Sequence, residues 1–183
     1  EVGCIASVLG QEKGACVFES EFQKTCRITT RVECAGGVSG NKTKGDFYTG
    51  KLCSAEELGT NCGLTSPPRT TCLPGKEEVY FVDSCGNTAN IYDATKAKDK
   101  EYWSNMKDKT ESCNPNAPNA NNAGCGNCNY ILGSFCRATT RGNTQATYGT
   151  NICADLNCKD TSNGKSYKHG ESWCVNSDAG TFG

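Results

Sequence analysis

The sequence predicts a mostly β fold that is small, disulfide-rich and loop-rich, with antiparallel strands and one short helix. Three observations carry that expectation. Fifteen cysteines stand in 183 residues beside one histidine and one methionine, a density at which composition reads as a disulfide scaffold. The hydrophobic fraction is 36%, cysteine included, so aliphatic burial alone is a weak counterweight to chain ordering and cross-links must contribute. Strand patterns also outnumber helix patterns along the chain.

The first clear strand pattern runs from Cys26 to Cys34. There Cys26, Ile28, Thr30, Val32 and Cys34 alternate with Arg27, Thr29, Arg31 and Glu33. One cysteine-bearing face against one charged face is the period of a half-buried antiparallel strand. Ser54 and Glu57 are spaced as a capping box, which predicts a short helical turn and accounts for the Glu56-Glu57 pair. Val79-Tyr80-Phe81-Val82 is an apolar run between Pro74-Gly75 and Cys85-Gly86-Asn87, and Glu77-Glu78 lead into it. A helix is expected near 93–107, with Asp93 as N-cap and Tyr102, Trp103 and Met106 on one face. Tyr130-Ile131-Leu132 leading to Phe135-Cys136 is a further strand candidate, and Ser162-Asn163-Gly164-Lys165 carries a hairpin-turn signal.

Residues 113–124, rich in Asn and interrupted by Pro115 and Pro118, read as a linker or long surface loop. The organisation expected is a cysteine-rich β module over 1–112, that loop, and a second, degenerate cysteine-rich module over 125–183. An internal echo supports the division. Cys26-Arg27-Ile28-Thr29-Thr30-Arg31 recurs as Cys136-Arg137-Ala138-Thr139-Thr140-Arg141. Tyr48-Thr49-Gly50-Lys51-Leu52-Cys53 resembles Tyr148-Gly149-Thr150-Asn151-Ile152-Cys153 in the same order.

The cysteines are Cys4, Cys16, Cys26, Cys34, Cys53, Cys62, Cys72, Cys85, Cys113, Cys125, Cys128, Cys136, Cys153, Cys158 and Cys174. All are disulfide candidates, with the pairing left open. An odd count leaves one cysteine free, paired with another subunit or paired with another part of the polypeptide, and the last two are favoured because an exported free thiol is a liability. Such bridges persist in oxidising surroundings, so an extracellular or cell-surface location is expected.

Charge and hydropathy exclude two classes of partner. Nineteen Lys and Arg are interspersed with twenty Asp and Glu for a net charge of −1, without the basic face of a nucleic-acid binder. No stretch approaches the ~20 apolar residues of a membrane span. No export signal opens the chain at Glu1-Val2-Gly3-Cys4, which is expected of a processed or truncated polypeptide.

No constellation predicts catalysis, a metal or a cofactor. Cys125-Gly126-Asn127-Cys128 lacks the following histidine of a haem site and the following helix of a redox motif. Zinc held by Cys125, Cys128, Cys153 and Cys158 would leave eleven other cysteines needing a reducing compartment. Two separate structural disulfides are expected there instead. His169 could join Ser172 in a triad, yet no Gly-x-Ser-x-Gly elbow exposes a nucleophile, so a turn role is expected. Glu77-Glu78 is accounted for by strand-start chemistry, and neither a phosphate loop nor a calcium loop occurs. Asn41-Lys42-Thr43 is a glycosylation sequon, so Asn41 is a modification candidate. Tyr80, Tyr92, Tyr102, Trp103 and Tyr130 are expected in the core rather than on a binding face.

Several segments also recur in a familiar order: Val79 to Asn87, Asn90 to Ala94, Glu111-Ser112-Cys113, Cys125 to Tyr130, Gly133 to Arg137, and His169 to Val175. In this order residues 70–183 resemble the large cysteine-rich secreted or surface proteins of small-genome, DPANN-type archaea. The resemblance implies an extracellular setting and a longer parent chain, because further sequence follows the Trp-Cys segment in that pattern. It implies no mechanism. The resulting expectation is a non-enzymatic extracellular structural protein, a disulfide-stabilised module or subunit of a cell-surface or filamentous assembly. Its partners would be copies of itself or other surface proteins. The alternative is a secreted adhesion or recognition module that binds a cell-surface partner or glycan.

Overall fold

The computed structural model describes residues 10–20, 22–36, 45–159, 161 and 164–172. Cys4, Asn41 and Cys174 lie outside the described residues. The architecture is antiparallel throughout. Strands β1 (Lys13–Ser20), β2 (Gln23–Thr30) and β3 (Asp46–Thr49) form a sheet in the order β2-β1-β3, and helix α1 (Arg31–Gly36) follows β2. Strands β4 (Leu64–Cys72), β5 (Val79–Asp83) and β6 (Thr88–Ile91) form a second sheet in chain order. Strands β7 (Ser134–Ala138) and β8 (Asn151–Asp155) form a third, two-stranded sheet. β4 carries the cis Ser66-Pro67 peptide and Pro68, and it sits at a sheet edge, where a missing N–H costs no ladder bond.

The alternation expected from Cys26 to Cys34 ends at Thr30. The next four residues explain why. Glu33 N–H donates to Thr30 Oγ1 at 3.3 Å and Thr30 N–H donates to Glu33 Oε2 at 3.0 Å, a capping box that starts α1. Val32, which the alternation would bury, is exposed, whereas Cys34 is buried on the inner side of the helix. Ser54 and Glu57 do not cap. Ser54 Oγ donates to the Trp103 carbonyl at 2.7 Å, Glu57 accepts from Lys51 Nζ at 2.5 Å, and the 3-10 turn Glu56–Leu58 has Ala55 as its N-cap.

The helix expected near 93–107 is replaced by a single 3-10 turn, Ala94–Lys96, with irregular turns after it. Asp93 does cap, accepting from Thr95 N–H at 3.0 Å. Propagation then fails because side chains take the backbone groups a helix would use. Trp103 Nε1 donates to the Lys96 carbonyl at 3.1 Å, and Asp99 Oδ1 accepts from the amides of Glu101 at 3.0 Å and Tyr102 at 3.2 Å. Tyr130-Ile131-Leu132 is likewise not strand but a turn, closed by Gly133 N–H on the Tyr130 carbonyl at 3.0 Å. Gly133 adopts φ 98° there, a conformation that favours glycine, and β7 starts after it. At the hairpin signal, Cys158 pairs with Tyr167 and Gly164 N–H donates to the Thr161 carbonyl at 2.8 Å; Ser162 and Asn163 lie outside the described residues.

Six bridges join described cysteines: Cys16–Cys34, Cys26–Cys53, Cys62–Cys85, Cys72–Cys136, Cys113–Cys125 and Cys128–Cys153. Four of them run through or against two apolar clusters. One gathers Ala15, Val17, Cys26, Cys53, Ala55, Leu58 and Cys62. The other gathers Leu52, Val79, Phe81, Ala89, Tyr92, Tyr102, Trp103, Cys128, Cys136 and Cys153. Phe81 is its hub, with ring centroids 5.1 Å from Tyr92 and 4.9 Å from Trp103. Tyr92, Tyr102 and Trp103 are thus core residues, while Tyr80 is half-buried and Tyr130 exposed.

This second cluster draws on both sides of the 113–124 segment, and Cys72–Cys136 crosses it. The segment itself is a packed loop closed by Cys113–Cys125, with Asn119 buried and donating to the Asn127 carbonyl at 2.7 Å. The echoing hexapeptides both begin on strands, but their bridges differ. Cys26 is bonded to Cys53, whereas the corresponding Cys136 and Cys153 face each other across β7–β8 and bond elsewhere, to Cys72 and Cys128.

Candidate functional site

The surface richest in unused chemistry is the outer face of the β7–β8 sheet and the turn before it. Strand periodicity puts Ser134 and Cys136 inward, both buried, and Phe135 and Arg137 on the opposite face. In the register, Phe135 lies across from Ala154 and Arg137 across from Ile152. Beside Arg137 opens a cleft of about 470 Å³. Ala138, Ile152 and Ala154 provide its apolar lining, and the remainder is polar: Asn121, Arg137, Thr139, Thr140, Asn143, Thr144, Asp155, Asn157 and Lys159.

The wall formed by the 139–145 loop is held by its own polar groups. Thr139 N–H donates to the Thr150 carbonyl at 2.7 Å, Asn143 Nδ2 to Thr140 Oγ1 at 2.8 Å, and Gln145 Nε2 to the carbonyls of Thr140 and Asn143 at 3.1 and 3.0 Å. On the facing wall, Lys159 Nζ sits 2.7 Å from Asp155 Oδ2, and Asn157 N–H donates to Asp155 Oδ1 at 3.0 Å. Partial burial pulls the Asp155 carboxyl up, yet the Lys159 ammonium and the Asn157 bonds outweigh it and hold Asp155 below the usual carboxylate range. Arg137 has neither an ion-pair nor a hydrogen-bond partner for its guanidinium among the described residues.

On the other flank of Phe135 lies an aromatic corner. Tyr130 meets the edge of Phe135 at 6.1 Å and of His169 at 4.6 Å between ring centroids. The backbone N–H of His169 donates to Asn157 Oδ1 at 2.9 Å, which holds the residue in a turn while its imidazole packs on Tyr130. A hollow of about 410 Å³ lies between Tyr130, Phe135 and Glu77-Glu78. That carboxylate pair, expected to serve only the start of β5, reaches further. Glu77 receives Lys109 Nζ at 2.5 Å and also the Tyr130 amide, while Glu78 accepts from Tyr80 Oη at 3.0 Å and lies 3.3 Å from Lys109 Nζ. Burial, and then the Glu78 charge, raise the Tyr80 phenol well above its ordinary pKa. Glu77 thus anchors the turn that carries Tyr130, whose Ile131 tip is exposed, while Glu78 ties Lys109 to Tyr80.

Cys125 and Cys128 belong to different bridges, which removes them as ligands of one metal. Among the described residues no group of three His, Cys, Asp or Glu side chains is placed to hold a metal ion, and no helix is long and apolar enough to cross a membrane. Cys158 carries an exposed free thiol. The Arg137 cleft has no isolated sequence signature. Its only trace is the Cys136-Arg137-Ala138-Thr139-Thr140 echo, which marks a strand without saying that its outward face borders a hollow. No protein-family model, curated protein or solved structure matches this chain.

Proposed function

We propose that the chain is an extracellular structural module, a disulfide-stabilised subunit of a cell-surface or filamentous assembly. The observation that carries this reading is the bridge network. Of the six disulfides among the described residues, two have their cysteines in or against one apolar cluster and two in or against the other, supplying cohesion that the sparse aliphatic side chains do not. Such a body keeps its shape in dilute, oxidising surroundings without a ligand or metal to hold it. The test is the state of the oxidised protein over a rising concentration series, by light scattering and electron microscopy. Ordered higher assemblies support the reading; a monodisperse monomer throughout overturns it.

The Arg137 cleft favours a second reading, a secreted recognition module. A concave polar surface on which, among the described residues, the uncompensated cation Arg137 is built onto a strand is suited to an external ligand. Binding of a cell-surface glycan or protein by the monomer, lost on changing cleft residues, would support it.

A further inference from the structure

On the recognition reading, we propose that the cleft beside β7 binds a saccharide bearing a carboxylate, with Arg137 as the group that takes the acid. Its volume, about 470 Å³, falls in the range of small-ligand sites and exceeds what a lone ion needs. Its lining is mixed in a particular way. Ala138 and Ala154, beside the buried Ile152, offer apolar surface to the C–H face of a sugar ring, while amides and hydroxyls around them match ring hydroxyls, which both donate and accept.

Charge narrows the ligand further. Of the two cations that line the cleft among the described residues, Lys159 is paired with Asp155 at 2.7 Å, which leaves Arg137 to meet an anion. One uncompensated guanidinium suits one carboxylate on an otherwise neutral polyol; a polyphosphate or nucleic-acid backbone requires several. The planar fork of Arg137 also fits a carboxylate with two parallel hydrogen bonds. Arg137 stands on a strand opposite Ile152, and the 139–145 loop is tied by three side-chain hydrogen bonds, so the backbone of the cleft is held before binding.

The experiment is calorimetric titration of the oxidised wild-type protein with sialyllactose, a trisaccharide with a single carboxylate, the neutral trisaccharide maltotriose, and inorganic phosphate. Arg137→Ala and Arg137→Lys are titrated alongside, with near-ultraviolet circular dichroism confirming their fold. The expected result is saturable binding of the acidic sugar, weakened at least tenfold by Arg137→Ala, less by Arg137→Lys, and reduced by added salt. Equal binding of the neutral sugar, unchanged in Arg137→Ala, overturns the acidic-ligand inference while leaving sugar recognition standing. Phosphate binding as tight as the oligosaccharide overturns the saccharide and leaves a simple anion contact. Absence of binding by either sugar to folded wild-type protein overturns both the inference and the glycan form of the recognition reading.

Discussion

The Ile28 amide on β2 donates to Asn87 Oδ1 at 3.0 Å, across 59 positions of sequence. The same side chain donates through Nδ2 to the Cys26 carbonyl at 3.2 Å and to Asp83 Oδ2 at 3.0 Å. Asn87 therefore fastens the first sheet to the turn between β5 and β6. Ile28 packs against both apolar clusters at this junction.

Replacing Asn87 with Ala leaves the Ile28 amide, the Cys26 carbonyl and a buried Asp83 carboxylate short of partners. We expect a loss of about 3 kcal/mol. In urea unfolding with bridges intact, the midpoint should fall while the slope stays constant. A shift equivalent to under about 0.5 kcal/mol, the range of surface substitutions, would contradict the role assigned to Asn87.

Gly126 lies between β5 and the end of β6, giving its carbonyl to Val79 N–H and its N–H to the Tyr92 carbonyl, both at 2.8 Å. A Cβ there would fall 2.6 Å from Val79 Cβ and 2.8 Å from Tyr92 Cβ. Gly126→Ala should therefore cost about 1–3 kcal/mol through overpacking. Thermal unfolding of the variant checks this; an unchanged midpoint would contradict it.

The two cysteines beside Gly126 show what was legible from sequence and what was not. Cysteine density and spread disclose the scaffold, the excess of strand patterns discloses the mostly β class, and Val79-Tyr80-Phe81-Val82 is visible as a strand because apolar residues there are flanked by turn formers. Pairing was not legible, because it depends on which strands stack rather than on spacing. The 93–107 helix failed where the Trp103 indole and Asp99 carboxylate took backbone partners that periodicity does not register. Conversely, Thr30-Arg31-Val32-Glu33 carried a capping box that the alternation around it concealed. The Arg137 cleft is invisible for a similar reason: Asn121 reaches it from the 113–124 loop, Arg137 from β7, and Asp155 and Lys159 from the end of β8, brought together by the β7–β8 register and by the Asn121 N–H bond to the Cys153 carbonyl at 2.7 Å.

Glu33 offers a titration with a defined sign. The Thr29 hydroxyl, then the amide and hydroxyl of Thr30, hold its carboxyl down to about 2. A depressed folded-state pKa contributes stability above the unfolded value of about 4.3 that is lost as pH falls through about 2. Glu33→Gln should therefore melt below the parent at neutral pH, with the gap closing on acidification through that window. A gap that stays constant or widens would contradict the assignment.

Loop length ranks two of the bridges. Cys72–Cys136 spans 64 positions and Cys113–Cys125 spans 12. Chain-entropy arguments assign about 4 kcal/mol to the first and about 3 kcal/mol to the second. Paired Cys→Ser replacements, compared by denaturant unfolding, should show the larger loss for Cys72/Cys136. The reverse order would contradict this ranking.

The central claim is that one cross-linked core joins the chain on both sides of 113–124, and disulfide mapping tests it most directly. Native protein is alkylated, digested without reduction, and its linked peptides are identified by mass spectrometry. The account predicts Cys72 linked to Cys136 and Cys128 linked to Cys153. Finding Cys136 linked to Cys153, as the echo of Cys26–Cys53 would have it, or Cys125 linked to Cys128, would contradict it.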